Sequence, residues 1–337
     1  MKTIKSWAAN GAGQPLRPFS YDPGPLGPDE VEIAVEHCGL CHSDLSMWEN
    51  EWGRTVYPLV PGHEVIGTVA AAGPEVRGLH EGQRVGLGWF ARSCLRCSAC
   101  LNGDYHLCAD AQATIVGRHG GFAERVRCHW IWAQPLPEAL APATSGPLFC
   151  GGITVFAPVL ETGVRPVDRV GVVGIGGLGH LALQVLRAWG CEVTAFTSHP
   201  DKDEAARALG AHHVVGSRDE AALNARAGQF DFVLVTTSAS LDWARWLSLL
   251  APHGRLHFVG AVLEPLAIPV FGLIGGQKQV SGSPLGRIST IRDLLQFSTR
   301  HGIAPQVERF PMSRVNEALA ALRSGEVRYR IVLDADF

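Results

Sequence analysis

Cys94, Cys97, Cys100 and Cys108 fall at C-x2-C-x2-C-x7-C spacing within the stretch GLGWFARSCLRCSACLNGDYHLC. Four thiolates this close along a chain can surround one ion, and a d10 ion such as zinc accepts a tetrahedral all-sulfur shell without imposing further geometry. Left as free thiols, a surface cluster of this kind would oxidise. An iron–sulfur ferredoxin run ends C-x3-C-P, whereas the last gap here is seven residues and Ala109 follows, which favours zinc. A closed four-thiolate shell has no position for a substrate, so this ion is structural and the chemistry resides elsewhere.

The remaining cysteines and histidines offer a second set. Cys41 lies in CGLCHSD, His63 in PGHE and Cys150 in LFCGGIT. Two thiolates and one imidazole make the open three-ligand shell that lets zinc bind a substrate oxygen. Spacing alone does not single these residues out. Cys38, Cys128 and Cys191 are equally available, although each reads as a small buried hydrophobe.

A third constellation is Gly174-Ile175-Gly176-Gly177-Leu178-Gly179, a G-x-G-x-x-G that follows the apolar run Val170-Gly171-Val172-Val173. It opens a helix whose apolar residues Leu178, Leu181, Ala182, Val185 and Leu186 keep helical period up to Gly190, and a strand-like run starts again at Glu192. Strand, glycine-rich turn, helix and strand together are the context that dinucleotide binding requires. Gly174 permits the tight turn, Gly176 the approach of backbone to pyrophosphate, and Gly179 the contact of helix and sheet. Enzymes that use NAD place Asp or Glu about 20 residues beyond the motif to hold the ribose 2′-hydroxyl. Ser198 falls there instead, within Phe196-Thr197-Ser198-His199-Pro200-Asp201-Lys202. Thr197 and Ser198 can donate to a 2′-phosphate, and His199 and Lys202 supply positive charge, so NADPH is expected.

The elements that must position these groups change character twice. From about residue 25 to 140, short β-branched runs (Val31 to Val35, Val65 to Val69, Arg84 to Leu87) are broken by Gly and Pro, as in a small β-barrel with few helices. From about 150 to 285, strands at Arg169 to Val173, Glu192 to Thr197, His213 to Val215, Asp231 to Val235, Arg255 to Val259 and Gln279 to Ser281 alternate with helical patterns. That alternation predicts a parallel, doubly wound α/β sheet. The tail from about 288 predicts a helix at Ser313 to Ser324 and a last strand at Tyr329 to Leu333, packing back on the first domain.

Composition narrows the class. The chain has 337 residues, 46% hydrophobic and 18% charged, with a net charge of −3. This lacks the basic footprint of a nucleic-acid binder, which matters because four-cysteine zinc sites also occur in such proteins. The first residues, MKTIKSWAANGAGQ, have no apolar signal core, and no run of about 18 apolar residues is present to span a bilayer, so no membrane partner is expected. Nine cysteines, most at ligand-like spacings, suit a reducing, cytoplasmic compartment.

Cys41-His42-Ser43-Asp44, the segment from Pro58 to Glu64, the four-cysteine lobe, Gly120 to Ala123, Cys150 to Val155 and Gly174 to His180 occur in an order that resembles the zinc-dependent medium-chain alcohol dehydrogenases. The chain is most similar to the cinnamyl alcohol dehydrogenase branch. Within it, Ser43 to Met47, Gly88-Trp89, Ala91 to Cys94 and the end from Arg328 are similar to bacterial NADPH-dependent aldehyde reductases. The resemblance covers essentially the whole chain. It implies a GroES-like β-barrel catalytic domain over residues 1–150 with a structural-zinc lobe at about 90–110, a Rossmann domain over 151–287, and a return to the catalytic domain over 288–337. It implies a catalytic zinc on Cys41, His63 and Cys150, with Glu64 an intermittent ligand or neighbour of the ion, and hence two zinc ions per subunit. Asp44 would orient His63, Ser43 would bind the substrate oxygen and pass on its proton, and His42 would approach the pyrophosphate. Thr154 would lie against the nicotinamide, with Thr236, Gly260 and the Ser283-Pro284-Leu285 backbone completing the cofactor site. Many relatives carry histidine three residues after the equivalent of Ser43, whereas here that position is Ser46.

The implied activity is zinc-assisted, NADPH-dependent, reversible reduction of aliphatic or aromatic aldehydes to primary alcohols. Trp52 and Trp89 are expected to line the substrate channel, and no charged anchor for an acidic substrate is evident near the motifs. An NAD-dependent alcohol or polyol dehydrogenase working in oxidation is the alternative, and the missing acid at Ser198 counts against it. A binding protein on the same fold would be expected to lose the zinc ligands, yet all three are present. Pairing through the last strand of the cofactor sheet, near Gln279 to Gly282, would make a homodimer.

Overall fold

The computed structural model describes residues 3–199 and 203–337. It divides into two compact units, one comprising Met1–Cys150 with Arg287–Phe337 and the other Gly151–Gly286.

The first unit is built around the strand Glu30–Leu40, which pairs antiparallel with Glu64–Ala72, Arg125–His129 and Arg330–Asp334. Its length and β-branched content make it the natural centre of a barrel sheet. Val31 and Ile33 turn into a core shared with Leu87, Val126 and Ile331. Glu32 points the other way and is buried, a position a carboxylate tolerates only when paired. Arg125 and Arg127 supply the partners at 3.0 and 2.9 Å.

Two features of this sheet bear on the site. At Gly86 in the strand Arg84–Leu87, a Cβ would lie 2.1 Å from the Phe149 ring. The absent side chain therefore seats the residue that precedes Cys150. The last strand, Arg330–Asp334, lies beside Leu40 through Ile331, which brings Arg330 to the end of the strand leading into Cys41.

The tail differs from the sequence reading in part. A 3-10 turn occupies Met312–Arg314, so the helix spans Val315–Ser324, and the final strand starts at Arg330. A helix at Ile288–His301 and a strand at Val307–Pro311, which pairs with the last strand, were not expected. The helix buries Ile288, Ile291, Leu294 and Leu295, a helical period plain in the sequence.

The second unit contains a sheet of six parallel strands in the order His213–Gly216, Glu192–Thr197, Arg169–Val173, Phe230–Val235, Leu250–Phe258, Gln279–Gly282. In chain order this is 3-2-1-4-5-6, the doubly wound arrangement that binds dinucleotides where the order reverses. The helix Gly151–Glu161 starts on a glycine pair, contains Pro158 and is buried on almost every side. A helix with no polar face and poor intrinsic propensity leaves no period to read.

Candidate active site and zinc lobe

Cys41 caps the helix His42–Glu49, and Asp44 closes the capping box by accepting the Cys41 N–H at 2.9 Å. The same fully buried carboxylate accepts the Gly62 N–H at 2.8 Å and meets His63 Nδ1 at 2.9 Å. One side chain thus fixes the segments that carry Cys41 and His63, and it holds the His63 proton on Nδ1 so that Nε2 is free to donate to a metal.

Cys150 completes the set. Its sulfur lies 3.8 Å from Cys41 Sγ and 3.3 Å from His63 Nε2, and a Glu64 carboxylate oxygen joins the group with all ligand atoms within 4.8 Å. Zinc bonds of about 2.3 Å to sulfur and about 2.0 Å to nitrogen, at the tetrahedral angle, put sulfurs about 3.8 Å apart and sulfur and nitrogen about 3.6 Å apart. The donors therefore fit one ion. The hydrogen bond between the two sulfurs holds Cys41 well below and Cys150 well above the ordinary range, so that one is a thiolate and the other a thiol unless a cation joins them.

Glu64 is fully buried, with Oε1 paired to Arg330 Nη2 and Oε2 without a hydrogen-bond partner. Burial pushes its carboxyl up to about 7, against the pull of Arg330. An orphaned carboxylate oxygen beside two thiols and an imidazole is what a cation would satisfy. No motif marks Arg330, although a lone arginine opening the apolar strand Arg330-Ile331-Val332-Leu333 is itself a signal.

Ser43 is half-buried, its hydroxyl 3.8 Å from Cys41 Sγ. His42 is exposed and Ser46 is buried. Trp89 stands edge-on to the His63 ring at 4.9 Å, and Trp52 meets Trp89 at 6.0 Å, so both expected pocket residues form one aromatic wall running outward from a candidate ligand.

The lobe is built on different terms. Cys94, Cys97, Cys100 and Cys108 cluster with Cys94 and Cys100 sulfurs 3.9 Å apart, again the spacing of a tetrahedral thiolate shell. The Cys97 and Cys94 N–H groups donate to Cys94 and Cys108 sulfurs at 3.4 and 3.5 Å. Backbone donors from Arg96 and Cys97 pull the Cys94 thiol down to about 6, whereas burial pushes Cys100 up to about 12. Among the described residues the group consists of the four sulfurs alone, with no carboxylate or imidazole.

In the second unit the glycine-rich turn links the strand Arg169–Val173 to the helix Gly179–Trp189. Gly174 has φ +93, and a Cβ on Gly179 would stand 2.0 Å from the Gly174 carbonyl oxygen, so neither position tolerates a side chain. Beside Gly176 a Cβ would meet nothing within 4 Å, which leaves the backbone open to a pyrophosphate. Ile175 is buried, and Gly177 and Leu178 are half-buried. The Thr236 hydroxyl donates to the Val173 and Gly174 carbonyls at 2.9 and 2.6 Å, tying the turn to the neighbouring strand. Gly260 is close-packed: its Cβ would lie 2.1 Å from the Thr237 carbonyl oxygen. Thr154 is buried near the start of its helix. Ser283 Oγ lies 3.0 Å from His257 Nε2, and Leu285 has φ +49. At the tip of the second strand the Thr197 hydroxyl accepts the His199 N–H at 3.1 Å, so it shapes the loop, while Ser198 and His199 are exposed. Lys202 lies outside the described residues.

Residues 27–138 match the alcohol dehydrogenase GroES-like domain and residues 177–300 the zinc-binding dehydrogenase domain. The chain is 53% identical to the aldehyde reductase AdhA of Synechocystis sp. over 98% of both chains. A cinnamyl alcohol dehydrogenase of Sorghum bicolor (SbCAD4) superposes with a TM-score of 0.95 at 37% identity, covering 99% of this chain and 98% of that one. The cinnamyl alcohol dehydrogenase of Helicobacter pylori complexed with NADP(H) has a TM-score of 0.90 at 27% identity and 98% coverage of both chains.

Proposed function

The chain belongs to the zinc-dependent alcohol dehydrogenases of the cinnamyl alcohol dehydrogenase type, and from that premise we propose that it reduces aliphatic and aromatic aldehydes to primary alcohols, reversibly, with NADPH. The observation that carries this reading is the buried Cys41, His63 and Cys150 set, whose donor separations match one tetrahedral ion and beside which Ser43 stands. When bound, zinc supplies Lewis-acid polarisation of the carbonyl and NADPH supplies hydride.

The chain's own residues would do the rest. Asp44 would keep His63 Nε2 free as a ligand, and the Cys41 and Cys150 thiolates would neutralise the ion, which loosens its hold on the product. Ser43 would donate a hydrogen bond to the substrate oxygen and hand over the proton that completes the alcohol. Exposed His42, next to it in the chain, would replenish that proton from solvent, a task to which buried Ser46 is poorly suited. Trp52 and Trp89 would form the apolar wall against which the aldehyde chain lies.

The choice of NADPH is supported by the exposed Ser198 and His199 in place of a carboxylate, with Lys202 adding charge in the sequence. It is also in keeping with the NADP(H) complex of the Helicobacter relative. Two zinc ions per chain are proposed, one on each ligand set. Exposed Leu263, Val270, Phe271 and Ile274 precede the edge strand Gln279–Gly282, and this apolar face with an open sheet edge supports a homodimer. Nine free cysteines, six of them in ligand sets, suit the cytoplasm, and no single helix is long and apolar enough to cross a membrane.

The test is a rate matrix of NADPH and NADH against aliphatic, benzylic and cinnamyl aldehydes and the matching alcohols. NADPH should win by tenfold or more in kcat/KM, Ser198→Asp should reverse the preference, and Ser43→Ala should cut turnover by about 10²-fold. Comparable kcat/KM for the two cofactors would return the NAD-dependent alcohol or polyol dehydrogenase reading.

A further inference from the structure

Against the expectation that no charged anchor lies near the motifs, the aromatic wall beside His63 ends in a cation. The guanidinium carbon of Arg54 sits 5.3 Å from the Trp52 ring and 5.8 Å from the Trp89 ring, in the corner formed by two indoles inclined at 66°. Both separations fall within the range of cation–π attraction. Cation–π attraction to the rings uses none of the guanidinium N–H groups as hydrogen bonds, and those are the groups that grip a carboxylate two-handed. Among the described residues Arg54 makes no ion pair or hydrogen bond, whereas neighbouring Glu49 is already paired to Arg323.

The loop that carries this arginine is held firmly. Asn50 ends the helix His42–Glu49 in the left-handed conformation, and its side chain accepts the Thr55 N–H at 3.0 Å. The Thr55 hydroxyl donates to the Met47 carbonyl at 2.6 Å, and the Tyr57 hydroxyl donates to the Trp48 carbonyl at 3.1 Å. Arg54 is thereby fixed to the helix that begins at the ligand Cys41. Since Trp89 lies 4.9 Å from the His63 ring, the guanidinium is no more than about 11 Å from that ring.

From this geometry we infer that Arg54 is an anion anchor at the outer end of the substrate wall, and that it selects aldehydes bearing a carboxylate at the far end of a short chain, the ω-oxo acids. The inference rests on the aldehyde-reductase reading and adds the substrate class. With the carbonyl at the Cys41, His63 and Cys150 centre, the carbon chain lies along Trp89 and Trp52 and the carboxylate meets the free edge of Arg54. A neutral aldehyde of equal length gains only the apolar contact.

Chain-matched pairs test it: succinate semialdehyde against butanal and glutarate semialdehyde against pentanal, with the zinc-loaded full-length enzyme and NADPH. The acid-to-neutral ratio of kcat/KM should fall tenfold or more in Arg54→Met, through KM, and recover in part in Arg54→Lys. Competitive inhibition by glutarate against pentanal should weaken by a similar factor in Arg54→Met. Raising the ionic strength should shrink the wild-type ratio, since the anchor is exposed. A ratio and an inhibition constant that stay within twofold of wild type in Arg54→Met would overturn the anchor and leave Arg54 as packing for the two tryptophans. Failure of the wild-type enzyme to reduce either series would overturn the aldehyde-reductase reading and the anchor with it.

Discussion

The two ligand clusters of this protein both draw on cysteine sulfur but are assembled in opposite ways. In the lobe, four sulfurs come from one short stretch, and backbone N–H groups of the same stretch stabilise them. In the buried site, Cys41 and Cys150 are 109 residues apart, and a carboxylate, an arginine from the last strand and the ring of Phe149 are all needed to place the donors. A site assembled locally and closed by four thiolates would hold the chain together. One assembled by the tertiary structure, with an orphaned carboxylate oxygen in the group, would leave its ion open to substrate on the function proposed above.

The sharpest way to break this contrast is Asp44→Ala. Asp44 accepts from Cys41 N–H, Gly62 N–H and His63 Nδ1, all buried. Charge-assisted bonds of this kind contribute about 1.5 to 3 kcal/mol each. The substitution should therefore remove several kcal/mol of stability, measured by denaturant unfolding, and lower kcat/KM by more than about 100-fold. Asp44→Asn, whose single oxygen can accept at only one of the two positions that face the Cys41 and Gly62 N–H groups, should restore part of the stability and little of the activity. Equal recovery of both would mean that Asp44 serves the fold alone.

The lobe should give the reverse pattern. Cys97→Ser should cost stability, because structural zinc contributes folding free energy directly, while the activity of the molecules that remain folded persists. Thermal unfolding paired with active-site titration separates the two. A Cys97→Ser enzyme with unchanged midpoint and lost turnover would invert the assignment.

How much of this was legible depended on whether a signal was local. The lobe, the glycine-rich turn and the strands of the second unit stand out because each is written in a contiguous run whose chemistry admits few readings. Strand ends at Arg169–Val173 and Glu192–Thr197 agree with the sequence to the residue, since Gly, Pro and turn residues bracket them. The buried ligand set was different. Spacing left Cys38, Cys128 and Cys191 in contention, and only the resemblance to a family favoured Cys41, His63 and Cys150. Arg330 and Phe149 act through contacts across distant sequence that no local pattern encodes. Arg54 was visible as a residue but not as a partner of Trp52 and Trp89, because the approach of Trp89 is set by the fold and not by local sequence.

A smaller effect sharpens the comparison from the second unit. His257 is buried between Ser281 and Ser283, 2.9 and 3.0 Å from their hydroxyls, stacked on Phe232. Burial, aided by Arg255, lowers its pKa from 6.5 to about 4. The unfolded chain therefore takes up a proton first as pH falls. This group's contribution is complete above about pH 6.5 and declines toward pH 4, by roughly 3 kcal/mol. The midpoint of thermal unfolding should drop across that window in wild type and drop less in His257→Gln. Parallel curves would show that other groups govern acid sensitivity.

Zinc content and NADPH-dependent aldehyde reduction measured on the same samples test the central claim most directly. Wild type should carry two zinc ions per chain, and Cys150→Ser should carry one, remain folded and reduce nothing. Full activity with one zinc per chain, or a Cys150→Ser enzyme that still turns over aldehyde, would contradict the division of labour between the lobe and the buried site.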